Sequence, residues 1–369
     1  MTLPGPGVLW SILSFVVVIG PLVFIHELGH YLVGRWCGVR AEAFAIGFGR
    51  ELFGWTDSRG TRWKVCALPL GGYVKFAGDM GPSGRDDPAW RALPAAERAQ
   101  TFQAKALWQK ALIVLAGPVA NFLFAIIVFA GVFAAYGERR TPPVAATVLG
   151  NSAADRAGMR PGDRVVSIGG RAVDRFEEIQ AIVAIRPGEA LEVVVDRAGH
   201  RKTLIASIGG QTVSDQFGNE TRIGLLGIGP DVPVRVSLSP WQLPAAAVRE
   251  TVRTVEMMVV TLGQIVTGDR SVKEMAGPVG MAKIAGQQAS LGAMDLLLFA
   301  VLISINLGFI NLLPVPMLDG GHLFFYAIEA IGRRPVSARV QEWAYRSGLS
   351  LILALMLFVT VNDLLRFVR

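Results

Sequence analysis

His26-Glu27-Leu28-Gly29-His30 is a consecutive run in the sequence, and side chains four apart on an α-helix share a face. A helix through this run would therefore offer two imidazoles to one cation. Zinc accepts imidazole nitrogen, and its catalytic sites keep one position open for water. A carboxylate at Glu27 would stand beside that position and take a proton from the bound water, whose pKa the ion lowers from about 15.7 to about 7. The product would be a hydroxide nucleophile at neutral pH.

Zinc needs a third protein ligand. His200 lies in a polar turn, and His322 follows Asp319 by three residues and is left outside the site. Asp319 is the better candidate. It stands at the end of the third apolar run, in the stretch Asn306 to Gly321, in which Pro314 and Pro316 stop a helix. Broken backbone at membrane depth is tolerated where it lines a protein or water-filled cavity, and Gly320 and Gly321 allow a sharp turn. On the residues alone a second reading stays open, in which Asp319 caps the helix that follows.

These residues need elements to hold them, and the composition says what kind. Of 369 residues, 52% are apolar and 18% charged, with a mean hydropathy of +0.44. That excludes disorder and argues for lipid as part of the surroundings. Val8 to Ile25 forms an uncharged run leading into the His26 motif, and it lacks the basic start and small-residue cleavage site of a secretory signal, so it is expected to be retained. Ala111 to Gly137 and Leu296 to Leu318 are long enough to cross a bilayer. Ser347 to Asn362 is shorter and needs Trp343 and Leu364 to Phe367, with Arg346 and Arg366 reaching for the interface.

The net charge of +7 is spread along the chain and flanks the apolar runs, so no nucleic-acid partner is expected. Arg35, Arg40, Lys105 and Lys110 mark the first connection as cytoplasmic, and Arg333, Arg334, Arg339 and Arg346 mark the third. Both termini and the long middle region then lie outside. Cys37 and Cys66 fall on the cytoplasmic side, and no disulfide is expected.

Between the spans, Arg62 to Phe76 reads as two short strands around Gly71-Gly72, a hairpin dipping toward the membrane. Asp79 to Gln103 is polar and proline-bearing, a cytoplasmic loop. From Pro143 to about Ile208, short β-type runs alternate with turns; Ala153 to Ala157 and Phe176 to Ile185 are its helices and Arg160 to Asp163 a turn. Ser239 to Gly268 is an amphipathic helix on or in the outer interface, either a gate with Gly277 to Gly280 against the core or an ordinary packed helix.

HELGH in the first span and NLLPVPMLDGG at the end of the third resemble the site-2 protease family of intramembrane zinc metalloproteases. GFGR at 47–50, ALPLGGYVKF at 67–76, AGPVANF at 116–122 and GPVG at 277–280 agree, and the branch that looks most similar is the bacterial regulator of sigma-E protease. The middle region resembles one PDZ domain, where that branch often carries two. The resemblance implies a polytopic α-helical membrane protein of four transmembrane helices, with a membrane-associated β-hairpin and one inserted extracytoplasmic PDZ-like α/β domain.

It also implies Zn2+ held by His26, His30 and Asp319, Glu27 as the catalytic carboxylate, and Asn311, Gly71, Gly72 and Tyr73 as substrate-binding residues. Asn121 and Asn306 are read as interhelical hydrogen-bond glue. The implied substrates are single-pass transmembrane proteins of the anti-sigma factor kind in the bacterial cytoplasmic membrane, with signal-peptide remnants as a second class. The expected division is 1–36, 37–106, 107–137, 138–232, 233–295, 296–331 and 332–369. A catalytically silent PDZ scaffold, or a transporter built on the broken helix, are the rival functions.

Overall fold

The computed structural model describes residues 7–78, 92–214, 220–268 and 277–368. The chain divides into two units, one made of Met1–Phe129, Ala246–Val260 and Val272–Arg369, the other of Ala130–Ala245 and Thr261–Ser271.

The first unit is built on long apolar helices. They are α1 (Val8–Trp36), α3 (Leu107–Tyr136), α8 (Ala293–Asn311) and α10 (Ala338–Val368), with the short α2 (Ala95–Arg98) ahead of α3. Among the described residues, four helices are long and apolar enough to cross a membrane, the fourth over Arg339–Asp363. This fits the four expected spans, and the last begins well before Ser347 because α10 runs on as one helix through its basic flank. α6 (Leu243–Thr267) sets Val255 and Met258 against a core of Ala125, Val301 and Ile305.

α7 (Pro278–Leu291) packs on α1 and α8. Its first turn is tied to α10 by the buried Asp363, whose Oδ2 accepts from the Gly280 amide at 2.7 Å. A carboxylate at a helix start satisfies an otherwise unbonded N–H and favours the positive end of the dipole.

The expected hairpin exists, but its turn is elsewhere. β1 (Ala41–Thr56) and β2 (Arg62–Phe76) pair antiparallel, and the connection is 57–61 rather than Gly71-Gly72. Asp57 closes that connection by accepting from the Arg59 and Thr61 amides at 2.9 Å each, with Gly60 at a positive φ of 82°. Both strands bend, at Gly47 to Glu51 and at Cys66 to Gly71. As a result Ala43–Ile46 lie beside Arg62–Val65 as well as beside Gly72–Lys75. Gly71-Gly72 is a bend inside β2, where a missing Cβ admits the ring of Phe48 against Gly71. The folded sheet packs on α1 and α3, its Phe44 and Phe76 clustering with Tyr31 of α1 and Ile113 of α3. Of the polar segment Asp79 to Gln103, residues 79–91 lie outside the described residues.

After the short strands β3 (Glu138–Arg140) and β4 (Thr147–Val148), the second unit centres on a four-stranded sheet in the order β6 (Arg171–Ala172), β5 (Arg164–Ile168), β7 (Ala190–Arg197), β8 (His200–Ser207). Leu191, Val193 and Val195 alternate into its core, as a half-buried strand requires, and meet Phe176, Ile179 and Val183 of α5 (Phe176–Ala184). α4 (Ala153–Arg156) is capped by the Ser152 hydroxyl, which accepts from the Asp155 amide. Ala198 and Gly199, both at positive φ, turn β7 into β8. Buried Asp163 holds the turn before β5 by accepting from Arg197 Nε and Nη2, each at 2.7 Å, and from the Arg160 amide at 2.8 Å. Burial pushes this carboxyl up, but the Arg197 and Arg160 hydrogen bonds win and hold it below the ordinary aspartate value.

Candidate metal centre and catalytic site

α1 carries His26, Glu27 and His30 as buried residues in its C-terminal half. One helical turn separates the imidazoles, and their Nε2 atoms come to 3.3 Å. Asp319 reaches both: its Oδ2 is 3.2 Å from His26 Nε2 and 3.5 Å from His30 Nε2.

The route of Asp319 to this point follows from the proline-glycine sequence around it. α8 stops at Asn311, the chain loops through Pro314 and Pro316 with Met317 at a positive φ of 85°, and α9 (Asp319–Gly332) begins. A Cβ on Gly320 would lie 2.2 Å from the Leu313 carbonyl oxygen, and one on Gly321 2.4 Å from that of Val315. Gly348 of α10 gives the same clearance to the Pro316 carbonyl, at 2.5 Å. The loop thus folds tightly over the first turn of α9. Leu318 is the residue at the cap position and no side chain caps the helix, so Asp319 is not spent on capping.

The donor set fits a zinc ion. Tetrahedral bonds of about 2.0–2.1 Å place neighbouring ligand atoms about 3.3–3.4 Å apart, and the three separations here are 3.2, 3.3 and 3.5 Å. His30 Nδ1 lies 2.8 Å from the Ile113 carbonyl. A carbonyl can only accept, so Nδ1 carries the proton and Nε2 presents its lone pair to the cluster. Asp319 Oδ2 is buried with no hydrogen-bond donor. Among the described residues, His26, His30 and Asp319 form the one group of three or more metal-ligating side chains, with ligand atoms within 4.8 Å of each other.

α3 makes the room. At Gly117 a Cβ would meet His30 Nε2 at 2.2 Å and His26 Cε1 at 2.9 Å, and at Gly29 it would meet the Ala116 carbonyl oxygen at 2.3 Å. The two glycines let α1 and α3 touch at the imidazoles.

The sequence signature of peptidase family M50 matches residues 14–355. The chain belongs to peptidase family M50. This M50 peptidase is 47% identical over 358 residues to a protein of Agrobacterium fabrum assigned by name to the zinc metalloproteases, covering 96% of this chain and 95% of that one. A similarly named protein of Mesorhizobium japonicum is 42% identical, covering 96% and 99%. The metalloprotease MmpA of Caulobacter vibrioides is 36% identical, covering 98% and 97%. The PDZ domain of an SdrC-like protein from Listeria monocytogenes matches 26% of this chain and 88% of its own at 14% identity and a TM-score of 0.19. The M50 peptidase is a zinc metalloprotease of the membrane.

The other residues predicted for the site are placed unequally. Gly72 is close: a Cβ there would lie 2.9 Å from Glu27 Cγ and 2.8 Å from Val23 Cγ1. The Val74 backbone interacts with the Glu27 carboxylate. Tyr73 points the other way, stacking on Phe48 with Lys64 Nζ 5.1 Å from its ring centroid, because alternate residues of a strand face opposite sides. Asn311 is half-buried as the last residue of α8, and no described contact joins its side chain to the imidazoles. His322 hydrogen-bonds the Tyr345 hydroxyl. Asn121, read from sequence as glue, lies with its side chain 3.1 Å from His26 Nδ1. Its place four residues after Gly117 and eight after Ile113, along one helix face, was the available signal.

Proposed function

We propose that this M50 peptidase cleaves single-pass membrane proteins within or beside their transmembrane helix, with His26, His30 and Asp319 as zinc ligands and Glu27 as the general base. The convergence of three ligand atoms from two distant segments at tetrahedral spacing carries the reading. Zinc, when bound, supplies Lewis acidity to the water and to the scissile carbonyl. Glu27 takes the proton released by the attacking water and hands it to the leaving amine nitrogen, so the carboxylate ends as it began. No covalent enzyme intermediate is needed.

A peptide bond inside a helix is shielded by its own turns, so the substrate has to be extended at the site. Gly72–Phe76 pair with Ala41–Ile46 along one side, and among the described residues no strand pairs with their other edge, where a guest strand would add. The approach of Gly72 and Val74 to Glu27 supports delivery of the bond to the base. Asn311 would contact the extended strand through its carboxamide, a donor to developing oxyanion charge. The unit holding the four-stranded sheet is read as a PDZ-like domain on the extracytoplasmic face of the bacterial inner membrane. There it would exclude substrates with bulky outer domains, so that an anti-sigma factor is cut after trimming.

The test is cleavage of a candidate single-pass protein in proteoliposomes, with products read by mass spectrometry. Glu27→Gln should keep its zinc and lose about 10²–10⁴ in rate. Cleavage at the full rate would overturn the assignment of the base. A substrate that retains a folded outer domain should be spared, and equal cleavage of both forms would remove the filter.

A further inference from the structure

We infer that Asn121 is a positioning residue for His26: its side-chain oxygen accepts the Nδ1 proton and so turns the Nε2 lone pair toward the metal. The inference rests on the metal site proposed above and deepens it.

Both imidazoles need the same service. A histidine that binds zinc through Nε2 carries its proton on Nδ1, and that proton needs an acceptor to fix the tautomer and the ring plane. His30 has one in the Ile113 carbonyl at 2.8 Å. The group opposite His26 Nδ1 is the Asn121 amide at 3.1 Å, with its NH2 toward the ring and its Oδ1 buried without any donor. An NH2 there would put the His26 proton on Nε2, aimed at His30 and Asp319, where zinc belongs. Oxygen and nitrogen of an asparagine amide are nearly equal in size, so the amide turned by 180° presents Oδ1 to Nδ1–H instead. That turn gives Nδ1–H its acceptor and relieves the stranded oxygen.

The backbone prepares Asn121 for this. Its own carbonyl accepts from the buried Ser304 hydroxyl at 3.0 Å, which pins α3 against α8 at that residue. Ile113, Gly117 and Asn121 recur every four residues, so one face of α3 supplies an acceptor, a gap for the rings and a second acceptor. Pro118, next to the gap, lacks the N–H that would bond the preceding turn.

The experiment uses the full chain purified in detergent, with zinc affinity measured by chelator competition and thermal stability measured on the metal-free protein. Asn121→Leu fills a similar space without an acceptor and should bind zinc about 10–100-fold more weakly. Asn121→Asp keeps an oxygen and removes the NH2, and should bind zinc as the unaltered chain does. Wild-type affinity in Asn121→Leu, with loss confined to metal-free stability, would reduce Asn121 to interhelical glue and overturn the inference. If Asn121→Leu fails to fold, Asn121→Asp decides alone, because weakened binding there would mean that the NH2 is what His26 uses. A wild-type chain holding no more zinc than His26→Ala would defeat the metal site itself, and this inference with it.

Discussion

Replacing Gly117 with alanine should cost the protein its zinc while leaving its helices in place. The added methyl carbon would stand 2.2 Å from His30 Nε2, 2.5 Å from His30 Cε1 and 2.9 Å from His26 Cε1. Ordinary contacts between such atoms run to about 3.5–4.0 Å, so a displacement of about 1.3 Å is needed. His30 cannot swing away without stretching its 2.8 Å bond to Ile113, which sits on the same helix as the intruding methyl. α3 cannot rise off α1 without opening the contact at Gly29 and Ala116. Metal sites hold ligand distances to within about 0.2 Å, so either escape breaks the ligand array. An overpacking cost of about 1–3 kcal/mol, borne by the metal-bound form, corresponds to about 5–150-fold weaker zinc binding. Chelator competition on purified protein measures this, with circular dichroism as the check on helix content. Undiminished affinity in Gly117→Ala would refute the claim that α3 shapes the space for the imidazoles.

Other consequences are as direct. Gly72→Ala brings a methyl within 2.9 Å of Glu27 Cγ and 2.7 Å of the Ala45 carbonyl oxygen, so turnover should fall while zinc content stays at wild type; loss of both would place β2 in the metal site and not at the substrate edge. Gly320→Ala forces the Leu313 carbonyl to move from a 2.2 Å clash and should destabilise the loop by about 1–3 kcal/mol and release zinc, which thermal melts with and without metal would register. In the second unit, the carboxyl of Asp163 is held below its ordinary value, so its contribution to stability is complete above about pH 4 and is lost as pH falls through the lowered folded value. Hydrogen exchange across residues 143–208 should therefore accelerate in acid, and Asp163→Asn should flatten that dependence; an unchanged acid profile would show that the Arg197 pair does not govern it.

The proposed ligand set was legible in the sequence because helix geometry fixes what four-residue spacing means, and because prolines followed by glycines at the end of an apolar run stop a helix and allow a sharp turn. The approach of Asp319 to His26 and His30 depends on Gly320, Gly321 and Gly348, and the first two stand in the sequence beside the aspartate. The hairpin was legible as strands but misplaced in its turn. Gly71-Gly72 carries the local signature of a turn, yet the Asp57 side chain closes the connection, and the glycines serve close approach to Phe48 and Glu27. Asn121 was visible as a buried polar residue, but its partner depends on how α3 is rotated against α1, which no local pattern encodes. The tie from Asp363 to the start of α7 is likewise a contact between segments far apart in the chain.

X-ray absorption of the zinc-loaded full-length protein tests the central claim most directly. Two nitrogen scatterers and at least one oxygen at about 2.0–2.2 Å are expected, with one of the two nitrogens lost in His26→Ala and an oxygen ligand lost in Asp319→Ala. Sulfur scatterers near 2.3 Å, or a spectrum indifferent to Asp319→Ala, would contradict the account.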